Sequence, residues 1–201
     1  HIDSEPLVSL PKTNIWPVSI YYRLLSFDYF SERLDRLLYL DADITCKGSL
    51  EDLAALKFDG EYGAVVVDVD SMQDKSAERL HNPEFKGNYS GVMYINLQQW
   101  LNSNLTKKFF ELLSDESIVS RVKYPDQDIL NIMFLHHAVL LPRKYNSIYS
   151  LKSEFEIKNK NYYKSVINEE TVFIHYTGVT KPWHEWADYS SAQFFRTVYE
   201  K

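Results

Sequence analysis

The sequence predicts an α/β fold with a mostly parallel central sheet flanked by helices, and three observations predict it. Short apolar runs at residues 37–40, 62–67, 91–96, 138–141 and 171–175 have strand length and are bounded by polar residues. Elsewhere the apolar residues keep a helical spacing, as with Leu97, Trp100, Leu101, Leu105, Phe109 and Leu112. The two kinds of segment alternate along the chain, which is the pattern of layered α/β proteins. With 201 residues, 45% of them hydrophobic and 25% charged, the chain is long enough for one sizeable core and reads as a single domain over 1–201, incomplete at both ends.

In order, residues 15–30 read as a helix that tolerates Pro17 in its first turn. The first strand, 37–40, is apolar and buried and stops at Asp41. Gly48, Ser49 and Leu50 lead into E-D-L-A-A-L, a short helix with an acidic first turn. The second buried strand is 62–67. Residues 71–85 are polar and irregular and read as a surface loop with a helical turn. The third strand is 91–96, followed by one helix over 97–113. A helix over 126–135 is entered through Pro125, strands follow at 138–141 and 171–175, and a last helix covers 191–199.

Composition excludes several classes. A net charge of −6 is the wrong sign for a broad nucleic-acid face. A single cysteine, Cys46, rules out an internal disulfide framework and fits a reducing compartment. No apolar run approaches the roughly 18 residues of a membrane span. The first residues lack the basic start and apolar core of a secretory signal. The expectation is a cytoplasmic protein with room for peripheral membrane contact. Aromatics reach 15%, with 15 tyrosines, a content that suits sugar-binding surfaces but is more commonly explained by buried tyrosine.

Residues 36–43 read R-L-L-Y-L-D-A-D, an apolar run that ends in two carboxylates one residue apart. Ligands of open α/β sheets bind at such strand ends. Paired carboxylates there are costly unless compensated, and their oxygens suit a hard divalent cation. The pattern alone is weak. The chain has 14 aspartates, enough for about one D-x-D by chance, and three are present: Asp41/Asp43, Asp68/Asp70 and Asp126/Asp128. Asp68/Asp70 reads more readily as a solvated strand end, and Asp126/Asp128 equally well as a helix start with its dipole compensated. A second signal is H-Y-T-G-V-T-K-P-W-H at 175–184. There a histidine closes a strand, Gly178 permits close backbone approach, and Lys181 offers a point charge to phosphate.

Four segments together resemble the family 8 glycosyltransferases: R-L-L-Y-L-D-A-D-I (36–44), N-Y-S-G-V-M-Y-I-N-L (88–97), Y-P-D-Q-D-I-L-N (124–131) and H-Y-T-G-V-T-K-P-W-H (175–184). These are retaining enzymes of the GT-A fold, and the segments L-P-K-T (10–13), Y-Y-R-L-L (21–25) and K-P-W-H-E-W-A (181–187) look most like the bacterial lipopolysaccharide core glucosyl- and galactosyltransferases. The resemblance implies Mn²⁺ (or Mg²⁺) on Asp41, Asp43 and His175, holding the diphosphate of UDP-glucose or UDP-galactose. It implies nucleotide or diphosphate contacts at Asp41, Ala42, Asp43, Gly178 and Lys181. Donor-sugar contacts fall on Arg23, Asp126 and Asn88, and Gln127 and Asp128 stand near the anomeric carbon. In the family an Asn directly precedes the Ser/Ala-Gly of the second segment; here Tyr89 takes that place and Asn88 is one residue earlier. The implied acceptor is the lipopolysaccharide core, reached from the cytoplasmic face of the inner membrane. A glycogenin-like acceptor and a non-catalytic sugar-binding relative are the alternatives. Nucleotide-binding α/β domains usually open with a strand whose loop grips the ligand, so a strand–helix portion is expected ahead of residue 1.

Overall fold

The structure is a computed structural model that describes residues 7, 10, 18–85, 88–150, 162–187 and 192–199, without the side chains of residues 71, 88–90 and 199. In chain order a 3₁₀ turn Val18–Tyr21 leads into α1 (Tyr22–Ser31), then β1 (Arg36–Leu40), β2 (Ile44–Cys46), α2 (Glu51–Ala55), β3 (Gly63–Val67), α3 (Asp70–Arg79) and β4 (Asn88–Asn96). There follow α4 (Leu97–Asn102), α5 (Leu105–Ser114), α6 (Glu116–Val119), α7 (Pro125–Phe134), β5 (Ala138–Leu141) and β6 (Ser147–Tyr149). A helical turn Tyr163–Val166, β7 (Phe173–Tyr176) and a helix Ala192–Tyr199 complete the described elements. They fall into two compact units, one of His1–Tyr39 and Lys57–Leu141, the other of Leu40–Leu56 and Pro142–Lys201.

The first unit is built on a four-stranded sheet of order β1-β4-β3-β5. β3, Gly-Ala-Val-Val-Val, is β-branched and almost wholly buried, as a central strand requires. Its Gly63 is obligatory: a Cβ there would come within 2.6 Å of the Tyr94 carbonyl. β1 lies at the sheet edge and is only half-buried, so its apolar run is less enclosed than the sequence suggests. β3 runs parallel to β5 but antiparallel to β4, with Val67 opposite Asn88. The expected mostly parallel sheet is therefore corrected to a mixed one. The connection through α3 returns the chain to the end of the sheet where β3 stopped, and the alternation of strands and helices does not encode that direction.

Two helices differ from expectation. Within residues 71–85, expected as a surface loop with a helical turn, the helix is longer than a turn: α3 runs Asp70–Arg79. The expected single helix over 97–113 is two. Asn96 caps α4 by accepting from the Gln99 amide at 3.2 Å, and Asn104, at φ 50°, breaks the chain between α4 and α5 in a conformation that Asn tolerates. Leu105, Phe109 and Leu113 give α5 a buried stripe at four-residue spacing. The core gathers Phe27, Trp100, Phe109 and Phe134, with Phe27 and Trp100 edge to face at 4.9 Å. The Trp100 indole donates to Thr106 Oγ1 (2.9 Å), which donates to Asp28 Oδ1 (2.7 Å), so the buried ring leaves no polar atom unpaired.

The second unit carries the sheet β2-β7-β6. β2 is antiparallel to β7, with Ile44 opposite His175, and β6 is parallel to β7, with Ile148 opposite His175. His175 thus sits in the central strand of three. Tyr149, Ile174, Tyr176 and Ala187 form a buried cluster in this unit.

Candidate active site

The chain leaves β1 at Leu40 and turns sharply, the Ile44 amide donating to the Asp41 carbonyl at 3.2 Å. That turn is Asp41-Ala42-Asp43. Asp41 and Asp43 are half-buried, and Ala42 is exposed between them. The β2–β7 register then brings His175 against the turn. Its Nε2 lies 3.0 Å from Asp43 Oδ1 and 3.9 Å from Asp41 Oδ2. Ligand atoms of Asp41, Asp43 and His175 all lie within 4.8 Å of one another. Lys181 Nζ donates to Asp43 Oδ2 at 2.5 Å and to the Tyr176 carbonyl at 2.8 Å. Gly178, between His175 and Lys181, has φ 87°, a conformation open to glycine and strained for other residues. All six of these sequence-predicted residues lie in the second unit, where structure brings together two carboxylates, one imidazole and one ammonium.

The remaining predicted residues lie in the first unit. Arg23 of α1 pairs with Asp126 of α7 at 3.1 Å, both side chains almost fully buried, and its guanidinium lies over the Tyr39 ring at 4.5 Å. Burial first, and then the Asp126 charge, push the Tyr21 hydroxyl above the usual tyrosine range. Pro125 opens α7, with Asp126 and Asp128 in its first turn and half-buried Gln127 between them. Asp128 is fully buried. Its Oδ1 accepts from Arg79 at 2.6 Å, and its Oδ2 accepts from the backbone N–H of Lys123 at 2.8 Å and of Tyr124 at 3.0 Å. That carboxylate fastens α3 and the approach to α7. Asn88 takes its place in β4, and its side chain lies outside the described residues. The rival pair Asp68/Asp70 does not form a solvated strand end: Asp68 is 3% exposed and accepts from the Val69 amide at 2.7 Å, and Asp70 opens α3.

A sequence profile of Glycosyl transferase family 8 matches residues 3–187. The chain belongs to this family. The family 8 chain is 72% identical over 200 residues to a Lipopolysaccharide 1,2-glucosyltransferase of Escherichia coli, covering 98% of the chain and 59% of that relative. It is 42% identical over 201 residues to the Lipopolysaccharide 1,3-galactosyltransferase of Salmonella typhimurium, covering 96% of the chain and 58% of that relative. It therefore spans a little under three fifths of the length of each of these two relatives. Among solved structures, galactosyltransferase LgtC in complex with donor and acceptor sugar analogs superposes with a TM-score of 0.76 over 98% of the chain and 72% of LgtC, at 21% identity. At that identity the likeness establishes the α/β fold.

In the family 8 chain the Asp43 carboxyl is pulled two ways. Burial resists its ionisation, but hydrogen bonds from His175 and Lys181, together with their charge, outweigh burial and hold it at about 2. It is an anion throughout the physiological range. Two carboxylates and a nearly buried imidazole form a donor set that fits Mn²⁺ or Mg²⁺, since carboxylate oxygens suit hard cations and imidazole suits transition metals. Sequence reading missed two residues. Arg79 gave no signal, lying in a polar stretch read as a surface loop with a helical turn. Asn146 receives His175 Nδ1 on its side-chain oxygen at 3.0 Å; its only trace in the sequence is a polar residue just ahead of a short apolar strand.

Proposed function

We propose that this family 8 chain is the catalytic part of a retaining, metal-dependent GT-A glycosyltransferase. It transfers a hexose from a UDP-sugar to the lipopolysaccharide core at the cytoplasmic face of the inner membrane. The observation that carries the proposal is the convergence of Asp41, Asp43, His175 and Lys181 on one point. UDP-glucose is the favoured donor, supported by the 72%-identical relative named a 1,2-glucosyltransferase, with UDP-galactose second. Among the described residues no helix is long and apolar enough to cross a membrane.

Asp41, Asp43 and His175 would hold the divalent cation, which when bound supplies positive charge to the diphosphate leaving group. Lys181 adds a fixed ammonium, oriented by Asp43 and the Tyr176 carbonyl, with a third N–H left for phosphate oxygen. Gly178 lets the backbone approach the diphosphate. Arg23 and Asp126 form a rigid pair suited to sugar hydroxyls. Gln127, an amide, is a poor nucleophile and a good stabiliser of positive charge at the anomeric carbon. We assign Asp128 a structural role, because both its oxygens are held by Arg79 and two backbone amides. Retention then follows from departure and attack on the same face, with the leaving phosphate oxygen taking the acceptor's proton, rather than from the double displacement of retaining glycosidases.

The test is a donor panel, UDP-glucose against UDP-galactose, with core-truncated lipopolysaccharides as acceptors, run with Mn²⁺ and with chelator. Transfer from one donor, abolished by chelation, is the expected result. Absence of transfer and of donor hydrolysis with Mn²⁺, or turnover indifferent to chelator, would overturn the reading.

A further inference from the structure

Asn146 stands immediately ahead of β6, the strand laid along β7 beside His175. The two side chains meet in the interior: Asn146 is 3% exposed and His175 1% exposed, with Oδ1 and Nδ1 3.0 Å apart. The other end of the amide, Nδ2, is buried with no hydrogen-bond partner among the described residues. Across the imidazole, Nε2 faces Asp43 at 3.0 Å and Asp41 at 3.9 Å.

A neutral imidazole carries one proton, and its place decides what the ring can do. With the proton on Nε2, the ring donates to Asp43 and cannot ligate a cation through that nitrogen. With the proton on Nδ1, the ring donates to the Asn146 oxygen and presents the Nε2 lone pair to the two carboxylates. Ionised carboxylates only accept, so that second state needs a positive centre between them. An asparagine serves both states. Turned over, its amide offers N–H where it had offered oxygen, and because one end is engaged and the other is not, either orientation leaves one buried polar atom unpaired. Neither orientation is strongly preferred by the surroundings, so the imidazole's partner at Nε2 decides.

We infer that Asn146 is the positioning residue for His175: its amide oxygen takes the Nδ1 proton and turns the Nε2 lone pair toward a cation, and the same amide turned over accommodates the imidazole when it bonds Asp43 instead. The inference rests on the reading of Asp41, Asp43 and His175 as cation ligands. Residues that orient a ligating histidine typically govern metal affinity by 10–100-fold.

The experiment compares the 201-residue chain with Asn146→Leu, which can neither accept nor donate, and Asn146→Asp, which accepts only. Mn²⁺ affinity is read by electron paramagnetic resonance, and the His175 tautomer by nitrogen-15 spectra with diamagnetic Mg²⁺. Expected are a spectrum with the proton on Nδ1, a loss of affinity of about 10–100-fold in Asn146→Leu, and recovery of most of it in Asn146→Asp. If the parent chain binds no Mn²⁺, the cation reading itself falls and the inference with it. If the parent binds and Asn146→Leu binds equally well, the inference alone falls. Should Asn146→Leu not fold, the parent spectrum still decides: a proton on Nε2 with Mg²⁺ bound overturns the inference.

Discussion

Replacing Asp128 by alanine separates a structural carboxylate from a nucleophile. The carboxylate is fully buried and accepts three hydrogen bonds, one from the Arg79 guanidinium and two from the Lys123 and Tyr124 amides. Removing one partner of a buried ion pair costs about 3–5 kcal/mol. Arg79 keeps about a fifth of its side chain in solvent and can recover some hydration, so the lower end, about 3 kcal/mol, is expected for Asp128→Ala. Arg79→Met should cost at least as much, because it strands an anion whose side chain is 1% exposed. At roughly 2–4 °C per kcal/mol for a chain of this size, the Asp128→Ala melting temperature falls by about 6–12 °C. Calorimetry of the two single variants and the double variant measures this, and the double variant should lose less than the sum of the singles, since each breaks the same pair. Hexose transfer, assayed well below the melting temperature, should survive in part. An Asp128→Ala chain that melts like its parent yet transfers no sugar, with a sugar ester trapped on Asp128 in the parent, would refute the structural assignment and restore double displacement.

Lys181→Ala should lower kcat by about 10²–10³ by removing a preorganised charge from the leaving group, measured by UDP release at saturating donor. Gly178→Ala meets nothing closer than Ser150 Oγ at 3.6 Å, so its cost comes from φ 87° rather than from a clash; urea denaturation should register about 1–2 kcal/mol. The Asp43 carboxyl is held down at about 2 from a usual 3.8, so its contribution to stability is present above pH 3.8 and is lost as pH falls through 2. By linkage it is worth about 2 kcal/mol. In chelator, Asp43→Asn should therefore be less stable than the parent at pH 7, and the difference should close near pH 2; a difference that stays constant across that range would contradict the assignment.

Much of this fold is legible where local chemistry decides. The β-branched run of β3, Pro125 at the head of α7 and the four-residue stripe of α5 announce their elements without help from the rest of the chain. What escapes is decided by partners distant in sequence. The antiparallel course of β4 depends on where the chain re-enters the sheet. α3 is polar enough to resemble a loop, and its Arg79 gains meaning only from Asp128, 49 residues away. The break between α4 and α5 turns on one left-handed residue, Asn104.

The three D-x-D patterns show what sequence leaves out and structure supplies. On paper Asp41/Asp43 and Asp126/Asp128 are alike. In the folded chain the second pair meets two arginines, Arg23 and Arg79, one for each carboxylate, so the local charge is balanced by side chains that cannot be deprotonated. The first pair meets a lysine and a histidine, whose imidazole, unlike a guanidinium, can give up its proton. An imidazole can serve as a metal ligand and a guanidinium cannot. The kind of partner, rather than the D-x-D spacing, is what distinguishes the two pairs in this chain. The distinction requires residue 181 to reach residue 43, which the order of amino acids alone does not reveal.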